Sequence, residues 1–205
     1  MNVQLTFINQ SNDANNSQIV IFQKNTPTDA NEIAVAWTVI ENCGQGCSHP
    51  FTYPLDSTIG YADSWGNYTP QLSAQPGQLF SAIKANSGDE IQLTGTSDSP
   101  AEIELANALP QGAVEARIYK DGRLFAKRAG VAPGQKAAFE FQPTIWIGVV
   151  SQVEQGQVMD EAIVSSVDTE ISLLGIASAD IVMTGGGVGS DAEPFQFTLQ
   201  HVVMA

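Results

Sequence analysis

Asp121-Gly122 stands between two strand-like runs, Val114–Lys120 and Arg123–Arg128. A two-residue Asp-Gly connection closes a β-hairpin through a type I′ turn, because both residues tolerate the positive φ that this turn needs. It constrains the chain strongly, since register in a hairpin decides which face every side chain takes. In the tightest register Lys120 faces Arg123, Tyr119 faces Leu124 and Ile118 faces Phe125. Arg117 then faces Ala126, Ala116 faces Lys127 and Glu115 faces Arg128. Glu115 with Arg128 is a favourable cross-strand pair, and Lys120 with Arg123 an unfavourable one. Val114, Ala116, Ile118 and Phe125 share the face expected to turn inward.

The hairpin also dominates the charge layout. Six of the eight basic residues lie between Val114 and Ala138, with only two acids, so this segment carries +4 within a chain of net charge −14. The remainder is near −18, with Lys24 and Lys84 its only lysines or arginines. Segregation of this kind makes a dipolar surface and steers association. Arg117, Lys120, Arg123, Lys127 and Arg128 are therefore the expected interaction residues. They would dock an acidic surface on a second copy or on another protein. Charges that merely stop sheet edges from pairing are the simpler alternative. A strongly acidic chain repels polyphosphate, which excludes nucleic acid as a partner.

Elsewhere, short apolar or alternating runs recur between turn signals, with almost no helical periodicity. Leu5–Asn9, Gln18–Lys24, Ile33–Ile40, Thr58–Tyr68, Gln78–Lys84, Glu90–Gly95, Ala101–Leu105, Ala138–Gln142, Thr144–Val150, Ile171–Ile176, Asp180–Thr184 and Phe195–Val203 read as strands. Cys43–Pro54 reads as loop. Thr144–Val150, apolar on both faces, is expected at the centre of a sheet. Met159–Val167 is the one place for a short helix. About twelve strands point to an all-β, antiparallel β-sandwich of jelly-roll or immunoglobulin-like type, with little helix. The expectation is one domain over residues 1–205; were it split, Pro110 within Leu105–Gly112 marks the cut. Apolar residues make up 43% of the chain, enough for a core, and charged residues only 15%, below the usual quarter. No apolar run reaches the length of a membrane-spanning helix. Met1–Asn9 lacks the basic and apolar regions of a signal peptide, so the expected place of synthesis is the cytoplasm, with later release left open.

Three stretches carry chemistry-bearing residues. Cys43, Cys47 and His49 are weak candidates for a metal, since thiolate and imidazole suit zinc or copper but a fourth ligand is not evident. No metal and no cofactor is expected. Gly185–Gly189 lacks the Lys-Ser/Thr of a phosphate loop and reads as a glycine turn. Phe51–Tyr68 interleaves aromatics with Asp and Asn, and Trp65, Tyr61, Asp63 and Asn67 suit stacking on, and hydrogen bonding to, a glycan. Catalysis has no motif with a mechanism behind it. The expected function is thus non-catalytic binding or self-assembly through the basic hairpin, with a homo-oligomer or an acidic protein as partner. Lectin-like glycan binding and toxin-like membrane activity by β-strands are the alternatives.

Overall fold

The computed structural model describes residues 2–24 and 32–205, with the side chains of residues 32 and 33 also outside the description. Met1 and the Ile33 side chain therefore lie outside the described residues. The strands in chain order are β1 (Asn2–Asn9), β2 (Gln18–Phe22), β3 (Glu32–Ala34), β4 (Thr38–Ile40), β5 (Ser48–Pro54), β6 (Ser57–Ala62) and β7 (Leu72–Ala74). They continue with β8 (Gln78–Ala85), β9 (Gly88–Thr96), β10 (Ile103–Asn107), β11 (Val114–Lys120), β12 (Arg123–Val131) and β13 (Lys136–Phe139). The last are β14 (Thr144–Val150), β15 (Thr169–Ser172), β16 (Ile176–Gly186) and β17 (Glu193–Met204). Among the described residues there is one short α-helix, α1 (Glu161–Ser166), which falls within Met159–Val167 and is capped by the Asp160 carboxylate, which accepts from the Ile163 N–H at 2.8 Å. The fold is all-β and of sandwich type.

The chain divides into two compact units. The first gathers both ends of the chain: residues 1–23, 35–55 and 143–205. Its sheets run β17-β16-β1-β5 and β15-β14-β2-β4. The second is built from residues 24–34 and 56–142, with sheets β13-β10-β8-β9 and β3-β12-β11-β6-β7. Leu105–Gly112 lies inside the second unit. Pairing is antiparallel except between β1 and β16 and between β8 and β10.

In the first unit Val3, Leu5 and Phe7 alternate inward along β1, and Ala179 and Ile181 of β16 sit beside Leu5 and Phe7. β2 lies between β14 and β4 and buries Ile19, Val20, Ile21 and Phe22 on both its faces. Trp37 meets Tyr53 edge-on at 5.6 Å. In the second unit Ile59, Tyr61, Ala116 and Ile118 fill one sheet face, and Phe80, Leu105, Ala137 and Phe139 are buried on the other sheet. Phe141 contacts both sheets, T-shaped to Phe125 at 5.0 Å and stacked on Phe139 at 6.2 Å. Glu104, 1% exposed, is offset by the Lys136 ammonium at 2.7 Å.

Three elements differ from the sequence reading. Ile33–Ile40 is not one strand: β3 and β4 belong to different units, and Trp37, in the chain segment that joins them, is buried within the first. Ser48–Pro54 is a strand, not a loop; β5 is a sheet edge, where Pro50 and Pro54 remove no required ladder bond. The hairpin is out of the tightest register. Asp121 and Gly122 adopt φ of 52° and 69°, as a type I′ turn requires, and Lys120 and Tyr119 face Arg123 and Leu124. Beyond them Ile118 faces Ala126, Arg117 faces Lys127 and Ala116 faces Arg128. A one-residue shift, a β-bulge at Phe125, causes the change. It sends Lys127 to the outer face and gives the inner place opposite Ala116 to Arg128, whose guanidinium is the more weakly hydrated cation.

Gly185–Gly189 makes its close approach within its own chain. A Cβ on Gly185 would lie 2.1 Å from the Pro194 carbonyl oxygen, and φ there is +86°. Gly185→Ala should therefore destabilise the fold by about 3 kcal/mol or more, read as the shift in the urea midpoint. A loss under about 1 kcal/mol contradicts the tight approach.

Candidate functional site: an aromatic loop beside the basic hairpin

After β6 the chain turns through Asp63–Asn67 and returns antiparallel along the edge of β6, with Tyr68 bridged to Ala62 and β7 paired to the start of β6. Gly60 lets Thr69 come close: a Cβ there would press on the Thr69 hydroxyl at 3.2 Å. Thr69 Oγ1 accepts from the Tyr61 N–H at 3.0 Å, and the Thr69 N–H donates to the Tyr61 carbonyl at 3.0 Å.

The turn itself is tied to one carboxylate. Asp63 Oδ1 accepts from the N–H groups of Trp65 and Asn67, each at 2.9 Å, and Oδ2 accepts from Asn67 Nδ2 at 2.8 Å. The Asp63 N–H closes the ring on the Asn67 carbonyl at 3.0 Å. These bonds, that of the Asn67 side chain foremost, favour the charged form and hold the Asp63 carboxyl below its ordinary range. Trp65 at the tip is 82% exposed and Tyr68 64% exposed. Arg117 faces Gly60 across the sheet, and its guanidinium lies 4.9 Å from the centre of the Tyr68 ring.

The hairpin's charges are placed unequally. Glu115 Oε2 accepts from Lys127 Nζ at 2.8 Å, and Arg117 Nε lies 3.0 Å from Glu115 Oε1, close enough to pair but off the line of its N–H. The bulge makes this arrangement, since it sets Lys127 opposite Arg117 with Glu115 on the same face. Lys120 is 5% exposed, with its ammonium 5.2 Å from the Phe125 ring centre. It is part of the interior. Burial pushes its pKa down from 10.5 to about 8, partly opposed by the charge of Asp56. Arg123 and Arg128 are half-buried.

Of the residues expected to meet a glycan, Trp65, Asp63 and Asn67 come together on this loop, but Asp63 and Asn67 are bound to each other. Tyr61 is buried and its hydroxyl donates to the Glu90 carbonyl at 3.3 Å. Tyr68, the last aromatic of the Phe51–Tyr68 stretch, takes the place beside Trp65 that Tyr61 was expected to fill, held beside β6 by its bridge to Ala62.

Cys43 and Cys47 are free thiols in a loop clasped by buried Asn9, whose Nδ2 donates to the Cys43 carbonyl at 2.6 Å and whose N–H donates to the Cys47 carbonyl at 3.0 Å. Burial, with Cys47 nearby, pushes the Cys43 thiol up. His49 is exposed on β5. Among the described residues no three His, Cys, Asp or Glu side chains converge to hold a metal ion. His201 pairs with Asp180 at 2.8 Å, but the imidazole stands on an open strand surface, 78% exposed. Among the described residues no helix is long and apolar enough to cross a membrane. The two sandwich units and the aromatic loop define a class by fold and surface alone: the chain matches no known family, no curated protein and no solved structure.

Two outcomes follow from these geometries. A hydrogen bond to a charged group contributes about 1.5–3 kcal/mol, so Asp63→Ala should speed amide exchange at Trp65 and Asn67 by about tenfold or more. In the unaltered protein the same amides should stay protected until pH falls through the lowered Asp63 pKa. Equal exchange in both proteins contradicts the lock. For Lys120, the unfolded chain keeps its proton between about pH 8 and 10.5 whereas the folded chain has released it, so stability rises with pH across that window. Relative to Lys120→Met, the unaltered protein should gain about 2 kcal/mol between about pH 7 and pH 9.5 in chemical denaturation. A difference that does not move with pH contradicts the burial.

Proposed function

We propose that this chain is a non-catalytic interaction protein that docks through the Trp65–Tyr68 loop and the adjoining Arg117–Lys127 surface, with a second copy of itself as partner. The observation that carries the reading is Trp65: a large aromatic ring held out in solvent by a turn that spends an ion's hydrogen bonds to stay rigid. A preformed loop loses little entropy on binding. Trp, Tyr and Arg are the residue types that carry most of the energy where proteins meet. Arg117 and Lys127 add positive charge beside the rings, and the chain's −14 supplies the complementary surface.

The docking residues differ from those expected of the hairpin alone. Lys120 lies inside, and Arg117 and Lys127 are steadied by Glu115, so the recognition surface is aromatic with a cationic border. A glycan at this loop is less favoured because Asp63, Asn67 and Tyr61, the groups that would meet hydroxyls, are already engaged.

Light scattering across a concentration series should show reversible self-association at low salt. It should weaken near 1 M salt, where electrostatic reach falls to about 3 Å. Trp65→Ala should raise the dissociation constant about 30-fold, the equivalent of about 2 kcal/mol. A monomer at every concentration and salt, or association indifferent to Trp65→Ala, refutes the proposal. Quenching of Trp65 by a glycan panel without self-association would instead return the lectin-like reading.

A further inference from the structure

A second surface, in the first unit, has the makings of a ligand site. In one sheet of that unit β14, β2 and β4 are neighbours, and Val150 pairs with Gln18 while Ile40 pairs with Ile19. The start of β2 and the ends of β4 and β14 therefore reach the same end of the sheet. A groove of about 360 Å³ opens there, lined by Asn15, Asn16, Gln18, Glu41, Asn42 and Gln152, with Ser17, Val150 and Ser151 between them. It adjoins a second hollow of about 440 Å³ that shares Asn15, Ser17, Val150 and Ser151 and reaches Val149 and Ile163. Both volumes fall in the range of small-molecule sites.

The backbone is specialised at this place. Among the described residues five that are not glycine have positive φ, and three line this groove: Asn16 at 51°, Asn42 at 55° and Gln152 at 59°. Each lies just outside a different one of the three strand ends. Asn adopts this conformation at modest cost, Gln at more, and such residues gather where a site needs side chains aimed against the local preference.

The rim is also assembled in advance. Asp13 accepts from the N–H groups of Asn15 at 2.9 Å and Ser17 at 2.7 Å. Asn16 Nδ2 donates to Asn42 Oδ1 at 2.7 Å, joining the loops before β2 and after β4. Gln18 Nε2 donates to Glu41 Oε1 at 2.7 Å, and Gln18 Oε1 accepts from the Val153 N–H at 3.0 Å. The side chains of Asn15, Ser151 and Gln152, and Nδ2 of Asn42, make no hydrogen bond among the described residues. They offer donors and acceptors side by side around the apolar floor of Val149, Val150 and Ile163.

We infer that this groove binds a neutral polyhydroxylated ligand, a small saccharide. Its lining holds no Lys, Arg or His, so nothing balances an anion, and the chain's net charge repels one. Amide, hydroxyl and carboxylate groups together match hydroxyls, each of which donates and accepts. A peptide strand is disfavoured by position, because the groove lies across strand ends and exposes no length of sheet edge to extend.

The experiment is a titration of the full ¹⁵N-labelled chain with neutral mono- and disaccharides at up to tens of millimolar, followed by amide shifts. At least one sugar should move the resonances of Asn15, Asn42, Ser151 and Gln152 in a saturable manner. Gln152→Ala and Ser151→Ala, both at exposed positions, should each weaken that sugar several-fold, and Asn15→Ala combined with Gln152→Ala at least tenfold. Trp65→Ala should leave it unchanged. Silence of the groove resonances throughout the panel overturns the inference. So does a sugar that shifts only the Trp65 loop, or groove shifts produced by short neutral peptides and by no sugar.

Discussion

The extra residue at Phe125 in β12 is the constraint on which the second unit's outer face depends. A hairpin has two faces and a strict alternation between them, so one inserted residue exchanges what lies beyond it. Here it brings Lys127 out beside Arg117, with Glu115 holding both cations. It also lets Phe125 and Ala126 be buried in succession, and Phe125 reaches Phe141. Without the insertion, the short side chain of Ala126 would stand opposite Arg117, and a lysine would point inward opposite fully buried Ala116. Taking an ammonium out of water at such a position costs several kcal/mol unless it is well paired.

From that register the aromatic loop follows. Arg117 stands opposite Gly60, where Thr69 and Pro70 of the returning segment lie close, and Tyr68, bridged to the neighbouring Ala62, sits under the guanidinium. Asp63 then fixes the turn that leads to Tyr68, and Trp65 is left at its tip. The groove in the first unit is built differently but on a related rule. There β2 begins where β4 and β14 end, and left-handed residues just outside those three ends line one groove, Asn16 and Asn42 joined by their side chains. In both places rigidity comes from a carboxylate that accepts backbone N–H groups: Asp63 in one, Asp13 in the other.

Much of this could be read in the sequence where local chemistry decides the outcome. The Asp121-Gly122 turn, the short helix after Asp160, the central position of Thr144–Val150 and the all-β class follow from patterns of a few residues. The bulge does not, because it reflects competition between the inward places for Phe125, Lys127 and Arg128, and those places exist only once both sheets are packed. The division into units was hidden for a similar reason. Residues from both ends of the chain build one unit, so no linker composition marks a boundary, and Ile33–Ile40 looks continuous while serving both. At the aromatic loop, residue types located Trp65, Asp63 and Asn67. Whether their polar groups faced a ligand or each other was a matter of geometry, as was the burial of Tyr61 and Lys120.

The most direct test of this account is the cross-strand proton contact pattern of the hairpin in solution. Nuclear Overhauser contacts between the backbones of Ile118 and Ala126, and of Arg117 and Lys127, are the predicted result, with Phe125 in contact with Phe141. Backbone contacts between Ile118 and Phe125 and between Glu115 and Arg128 would mean an unbulged ladder. That result would remove Lys127 from the outer face and contradict the arrangement of charge and aromatic rings on which the proposed docking surface stands.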